Sequence, residues 1–185
     1  MDQTILHYHQ NASRYHSQYD SLSAEDVHTD WSFILSNMMP GLALDIGAGS
    51  GRDALWLAEA GWTVSAVEPA AALRALGQTK TTDKVAWINT QLPELKGLRK
   101  PENGYDLILL SAVWMHLTPE QRPLALTTLA KYLSVKGNLI ITLRFGPSDP
   151  SRPMYPVDME ELEYLAKPLG LVVRELGQVS SEDLL

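Results

Sequence analysis

Short apolar runs alternate with helix-like segments along the chain from Leu42 onward. An apolar run of about four to eight residues is typical of a buried strand, whereas an amphipathic helix repeats its apolar positions every three or four residues. Alternation of the two patterns predicts a mostly parallel sheet with helices on both faces. The predicted strands are residues 42–46, 62–67, 85–88, 105–110, 139–143 and 171–176.

Helices are predicted between these strands, over residues 52–59, from 69 through 76, over 118–133 and over 158–169. Thr118 is a favourable capping residue, and four prolines stiffen residues 145–156 into a loop. The polar, histidine-rich segment 1–39 predicts one or two helices that lie over the sheet edge as a lid. We therefore expect one domain over residues 1–185, whose core over 42–176 is a doubly wound α/β sheet of six to seven strands.

Composition and charge exclude several functions. The 185 residues include no cysteine, which rules out disulfides, thiolate catalysis and cysteine-ligated metals. The net charge of -7 argues against a nucleic-acid partner. No segment has the secretory pattern or the apolar length that a membrane requires, so we expect a cytoplasmic protein. The histidines before Met39 lack metal-site spacing, no metal is predicted, and no pattern indicates an oligomeric state.

A glycine-rich turn follows the first predicted strand, where residues 44–52 read LDIGAGSGR. A strand, a glycine turn and a helix in succession place main-chain N–H groups around one point, which a nucleotide-like ligand can approach without meeting side chains. The dinucleotide fingerprint G-x-G-x-x-G requires a glycine where this chain has Arg52. The spacing therefore argues against a nicotinamide cofactor.

This turn and its surroundings resemble class I S-adenosylmethionine-dependent methyltransferases. Their first motif is an acid followed by alternate glycines, as in residues 45–51, and an acid, here Glu68, ends their second strand. A loop after the fourth strand (111–117) and a turn and strand (133–141), with Asn138 in place of a second glycine, extend the likeness over 42–176. The resemblance implies a Rossmann-like methyltransferase fold with S-adenosylmethionine as cofactor.

The resemblance also implies roles for individual residues. Asp45 would hold the cofactor's amino group and Glu68 its two ribose hydroxyls, since a carboxylate accepts from vicinal donors. From the residues alone, Asp45 could instead cap the next helix, and Glu68 could be a solvated acid. The implied cofactor-binding residues are Arg14, Tyr15, Asp45, Gly47, Ala48, Gly49, Gly51, Glu68, Pro69, Thr90, Gln91, Leu92 and Ser111.

His116 is the candidate catalytic residue, because a histidine in the loop after the fourth strand would face the transferred methyl group and could take a proton from the acceptor. It could equally pack against Trp114 or cap the next helix. Trp114, Arg144 and Tyr155 are expected on the substrate side. An arginine there would favour an anionic acceptor, although it could also pair with a neighbouring aspartate.

Residues 111–114 read SAVW where amino methyltransferases of DNA bases or of protein glutamine have Asn/Asp-Pro-Pro-Tyr. With the acidic charge, this favours a small-molecule acceptor. The leading hypothesis is thus a small-molecule methyltransferase. Two alternatives stay open: a catalytically silent module that keeps the cofactor pocket, and an NAD(P)-dependent oxidoreductase.

Overall fold

A five-stranded, all-parallel sheet forms the centre of the computed structural model, which describes residues 3–145 and 148–177. The strands are β1 (Leu42–Ile46), β2 (Thr63–Val67), β3 (Val85–Ile88), β4 (Tyr105–Ser111) and β5 (Leu133–Thr142). They pair in the order β3-β2-β1-β4-β5. The strand order reverses direction beside β1, so the loops after β1 and β4 meet at the carboxyl edge, where open α/β sheets bind ligands.

Helices cover both faces of this sheet. The α-helices are α1 (Gln3–Gln10), α2 (Ala12–Asp20), α3 (Ala24–Val27), α4 (Arg52–Glu59), α5 (Ala71–Thr81), α6 (Arg122–Tyr132) and α7 (Met159–Ala166), with 3-10 turns at Ser32–Asn37, Trp114–His116 and Lys167–Leu169. Alternate residues of β1 point to opposite faces, so Leu44 packs on the face covered by α6 and α7, whereas Ala43 packs on the face covered by α4. Leu107 and Ile108 in the interior strand β4 are fully buried, as expected of a strand covered on both faces.

The amino-terminal segment is helical, as predicted, but it contains three α-helices and a 3-10 turn where one or two helices were expected. Tyr15 of α2 packs against Leu73 of α5. Asp20, at the end of α2, accepts hydrogen bonds from Ser50 Oγ at 3.0 Å and from Lys80 Nζ at 2.7 Å. These contacts hold α1 and α2 over the glycine-rich turn. Within the described ranges, no helix is both long and apolar enough to span a membrane.

The predicted start of the sixth α-helix is wrong. We expected Thr118 to cap a helix that begins at Pro119, but α6 begins at Arg122. Gln121 explains the difference, because its side-chain Oε1 accepts from the Thr118 amide at 3.0 Å and its own amide donates to the Thr118 carbonyl at 2.9 Å. These bonds close a separate turn ahead of the helix. Pro123 then takes the early position predicted for Pro119.

The carboxyl-terminal side of the sheet also departs from the prediction. Strand β5 begins at Leu133, six residues before the predicted start at 139. In this added part six residues of β5 (Leu133 to Asn138) lie opposite only three of β4 (Tyr105 to Leu107), which forms a bulge. The predicted sixth strand, 171–176, is not a strand in the described residues, so five strands replace the expected six to seven. Leu171 packs against the core, but no strand pairs with this segment.

Candidate functional site

The glycine-rich turn joins β1 to α4 and has the backbone conformation that only glycine adopts readily. Gly47, Gly49 and Gly51 have φ angles of +71°, +55° and +79°. The amides of Gly47 and Ala48 both donate to the carbonyl of Val67, at 2.8 and 3.0 Å, and so tie the turn to the end of β2. The turn therefore lies against the residue that follows β2.

Glu68 follows β2 directly, is buried, and lines the cavity beside this turn. Its Oε2 accepts from the Gly49 amide at 3.0 Å, and its Oε1 accepts from the Ala70 amide at 2.7 Å. Burial raises the pKa of Glu68, while the two amides and Arg74 partly oppose the shift. Each carboxylate oxygen can accept a further hydrogen bond, so the group can also receive the two hydroxyls of a diol. The solvated-acid alternative does not fit this burial.

Asp45 is fully buried behind the turn and does not line the cavity. Burial raises its pKa well above the usual range, with a further increase from Asp53, while Arg52 and the Ala54 amide act in the opposite direction. The role of Asp45 in cofactor binding stays a prediction.

A buried ion-pair cluster beside Asp45 was not predicted. Trp31 Nε1 donates to His28 Nδ1 at 3.0 Å, so the proton of a neutral His28 sits on Nε2, which lies 3.1 Å from Asp53 Oδ2. Burial alone would raise the pKa of Asp53, but contacts with His28 and Arg52 outweigh it and lower the pKa to about 2. The cluster joins the amino-terminal segment to α4. His28 and Asp53 are 25 residues apart in the chain, so no local sequence pattern could have revealed their contact.

A cavity of about 1500 Å³ extends from the glycine turn to the loops after β4 and β5. The predicted site residues that line it are Arg14, Tyr15, Gly47, Ala48, Gly49, Glu68, Pro69, Gln91, Leu92, Ser111, His116 and Arg144. Of the predicted neighbours Thr90 and Gln91, Gln91 therefore faces the cavity, whereas Thr90 is buried away from it. The sequence placed most of these residues together although they come from six different segments.

Asp45, Gly51, Thr90, Trp114 and Tyr155 do not line the cavity. Trp114 has no exposed surface and lies in the hydrophobic core, which removes it from contact with a substrate. Tyr155 contributes its main chain, which accepts from Arg122 and donates to the Met115 carbonyl.

Packing against neighbouring side chains requires glycine at position 51. A Cβ atom there would approach Trp87 to 2.9 Å and Thr81 to 3.0 Å. This glycine therefore permits close packing of the turn on α5 and β3, a role distinct from the cofactor contact that the resemblance implied.

His116 lies on the cavity with one ring nitrogen fixed. Its Nδ1 lies 2.8 Å from the Pro153 carbonyl, which can only accept, so this nitrogen carries a proton. In the neutral ring, Nε2 is then the acceptor, and it lies 3.5 Å from the Tyr8 hydroxyl. This arrangement directs the basic nitrogen toward the amino-terminal helices. It suits a general base, which needs a fixed tautomer at the reacting group.

Aromatic side chains of α1 and α2 form the roof of the cavity. Tyr8, Tyr15 and Tyr19 have neighbouring rings 4.8 and 5.6 Å apart, and Tyr19 lies over the turn, 3.4 Å from where a Cβ on Gly49 would be. Burial raises the pKa of Tyr19, and its contacts with Tyr8 raise it further. Arg152 completes this group from the loop after β5. The resemblance had implied a cofactor contact for Tyr15, but nothing in the sequence distinguished Arg152 from the other arginines.

Among the described residues, no group of three or more histidine, aspartate or glutamate side chains is arranged to hold a metal ion.

The sequence model of the tellurite resistance protein TehB family matches residues 7–160 of this chain. This range contains the glycine turn, Glu68, His116 and Arg152. An uncharacterized methyltransferase of Staphylococcus carnosus is 30% identical over 120 residues, which cover 63% of this chain and 55% of that protein. A probable S-adenosyl-L-methionine-dependent methyltransferase TehB of Haemophilus influenzae is 26% identical over 152 residues, which cover 75% of this chain and 52% of that protein. The chain thus spans about half the length of these relatives.

A similar solved structure is a DhpI–SAH complex, with a TM-score of 0.69 and 14% sequence identity over 90% of this chain and 85% of that one. At this identity the likeness concerns the fold. It confirms the predicted Rossmann-like α/β architecture, and the family match confirms the resemblance to class I methyltransferases.

Proposed function

The chain belongs to the TehB family, and we propose that it transfers a methyl group from S-adenosylmethionine to a small-molecule acceptor. The observation that carries the proposal is the Glu68 carboxylate, buried on the cavity wall and bonded to the amide of Gly49. Relatives named as methyltransferases support the reaction type, and the likeness to a chain in complex with SAH supports the cofactor.

The residues on the cavity wall fit this cofactor. Glu68 offers acceptor positions for a ribose diol while its two amide bonds hold it in place. Gly47 and Gly49 line the cavity, and their left-handed backbone is one that glycine adopts readily. Gln91 and Leu92 line the cavity beyond the end of β3, where the adenine would lie, and Leu92 offers an apolar surface for a ring.

S-adenosylmethionine, when bound, supplies a methyl group that is activated by the positive charge on its sulfur. The protein's own task is then to position the acceptor and, where the nucleophile carries a proton, to remove it. His116 Nε2 is placed for that removal, because Nδ1 is held by the Pro153 carbonyl. The Pro153 carbonyl would also stabilise the imidazolium that forms, because it accepts from Nδ1–H, which then carries part of the positive charge.

The character of the cavity supports a small acceptor. Its volume of about 1500 Å³ exceeds what one cofactor of this size needs, and apolar and aromatic side chains dominate its roof. The acidic net charge of -7 disfavours nucleic acid.

Calorimetric titration with S-adenosylmethionine and S-adenosylhomocysteine tests the cofactor, and a screen of small acceptors for S-adenosylhomocysteine release tests turnover. We expect both compounds to bind to the wild type and less tightly to Glu68→Gln. Binding without turnover on any acceptor would favour the silent module. Binding of NAD(P)H, followed by its fluorescence, in place of the adenosyl compounds would favour the oxidoreductase.

A further inference from the structure

Arg152 is a half-buried cation that lines the cavity without a carboxylate partner among the residues that the structure describes. Its Nε is buried and has no hydrogen-bond partner there. Its Nη1 donates to the Tyr8 hydroxyl at 3.2 Å, and the guanidinium lies 5.8 and 5.7 Å from the ring centres of Tyr8 and Tyr15. A planar group with five donors is therefore held by aromatic rings and only partly satisfied.

A guanidinium in this setting is suited to bind an anion. Leaving donors of a charged group unpaired is costly, and the planar fork matches a carboxylate with two parallel hydrogen bonds. The acid nearest to Arg152 in sequence is Asp149. Its carboxylate accepts from the Ser151 amide at 2.8 Å and from the Ser151 hydroxyl at 2.7 Å. The aromatic contacts fix the orientation of Arg152, so little side-chain freedom is lost when a ligand binds.

The surroundings place Arg152 on the acceptor side of the cavity. The Tyr8 hydroxyl lies between Arg152 Nη1 and His116 Nε2, so the guanidinium is within two hydrogen-bond lengths of the proposed base. Arg152 follows β5 and His116 follows β4, whereas Glu68 follows β2, on the other side of β1 in the sheet. The segments that carry the ribose acceptor and the guanidinium thus reach the cavity from opposite sides of β1.

We propose that Arg152 is the anion-binding residue of the acceptor subsite, and that the methyl acceptor carries a carboxylate which pairs with Arg152 while its nucleophilic atom faces His116. This inference rests on the proposed methyl transfer. The cofactor's own methionine carboxylate offers the same chemistry, and the experiment must separate the two sources.

The first measurement is the Nε–H signal of Arg152 in a proton–nitrogen correlation spectrum, assigned by its loss in Arg152→Lys. Benzoate is the probe and benzamide its uncharged counterpart, both with S-adenosylhomocysteine at saturation. We expect a saturable shift with benzoate and binding at least about tenfold weaker with benzamide. Because Arg152→Gln lacks this signal, calorimetry follows benzoate binding to the variants. Arg152→Gln should weaken it by about tenfold or more, whereas Arg99→Gln, which removes an exposed arginine outside the cavity, should leave it unchanged.

The second measurement compares S-adenosylhomocysteine with 5′-methylthioadenosine, which lacks the amino-acid part. The proposal expects Arg152→Gln to change neither affinity by more than about twofold. Weaker binding of S-adenosylhomocysteine alone would assign Arg152 to the cofactor and overturn the acceptor assignment.

No saturable benzoate response of the wild type up to about 100 mM would also overturn the proposal, whether or not the variants fold. Failure of S-adenosylhomocysteine to bind the wild type would instead contradict the proposed function, because the benzoate titration can still be recorded without it.

Discussion

Replacement of Glu68 by glutamine removes the negative charge at the cavity wall but keeps the side-chain shape. A hydrogen bond to a charged group contributes about 1.5–3 kcal/mol. The glutamine keeps one uncharged acceptor oxygen, so one ribose hydroxyl loses its acceptor and the other loses the charge on its acceptor. The affinity for S-adenosylhomocysteine should fall about 10- to 150-fold. In the wild type the carboxylate accepts from the Gly49 amide at 3.0 Å and from the Ala70 amide at 2.7 Å. In the variant the glutamine NH₂ group points at one of these amides, so two donors face each other and one hydrogen bond is lost. We therefore expect some loss of thermal stability as well.

Calorimetry with two ligands separates these effects. The variant and the wild type are titrated with S-adenosylhomocysteine and with its 2′-deoxy analogue, and Glu102→Gln, an exposed loop carboxylate, serves as the control. If Glu68 binds the sugar, the variant loses much less affinity for the deoxy ligand. An equal loss for both ligands would contradict a contact between Glu68 and the 2′-hydroxyl and leave Glu68 with a structural role only.

The pH dependence gives an independent reading of the same group. Ribose hydroxyls donate to the ionised carboxylate, so binding should weaken as the pH falls toward the pKa of Glu68, which burial raises above its ordinary 4.5. The wild type should show this decline in affinity, whereas Glu68→Gln should bind S-adenosylhomocysteine with the same affinity over the whole pH range. A decline that persists in the variant would show that another group titrates.

Three further changes test other parts of the site. The pKa of Asp53 is lowered from 3.8 to about 2, which corresponds to about 2 kcal/mol of stability above pH 4. This stability is lost as the pH falls from 4 toward 2, and Asp53→Asn should abolish that pH dependence of the unfolding free energy measured from urea unfolding curves. Gly49→Ala places a methyl group 3.4 Å from Tyr19 at φ +55° and should cost about 1–2 kcal/mol of unfolding free energy, read from the same curves. His116→Gln should lower turnover about 10²- to 10⁴-fold with S-adenosylhomocysteine affinity unchanged; a loss confined to affinity would contradict its role as base.

Local sequence signals located much of the core. The bounds of β1 (Leu42–Ile46), α4 (Arg52–Glu59) and β3 (Val85–Ile88) match the prediction, because each is an apolar or amphipathic run ended by a turn signal within a few residues. The failures lie where partners are distant. The bulge in β5 depends on its register against β4, and residues 171–176 have a strand-like pattern but no paired strand.

The residues of the candidate site also fall into those that a local sequence signal locates and those that depend on distant contacts. Glu68 could be predicted because it follows a recognisable strand at a fixed distance from the glycine turn. Arg152 and the pair of His28 with Asp53 could not, since each matters only through contacts with residues far along the chain. A buried histidine and a solvated one look alike in sequence.

The two sides of the cavity differ in how firmly they are built, and this bears on how a ligand enters. The floor consists of the glycine turn and Glu68, whose main-chain bonds are already in place, so a cofactor meets preformed acceptors at little ordering cost. The roof is held by side-chain contacts: Tyr15 packs against Leu73, Ser50 donates to Asp20, and the partly exposed ion pair of Asp20 with Lys80 contributes only about 0–1 kcal/mol. These contacts can separate without loss of main-chain hydrogen bonds in the sheet or in the glycine turn, so α1 and α2 are the elements that we expect to move when the cofactor enters and its product leaves.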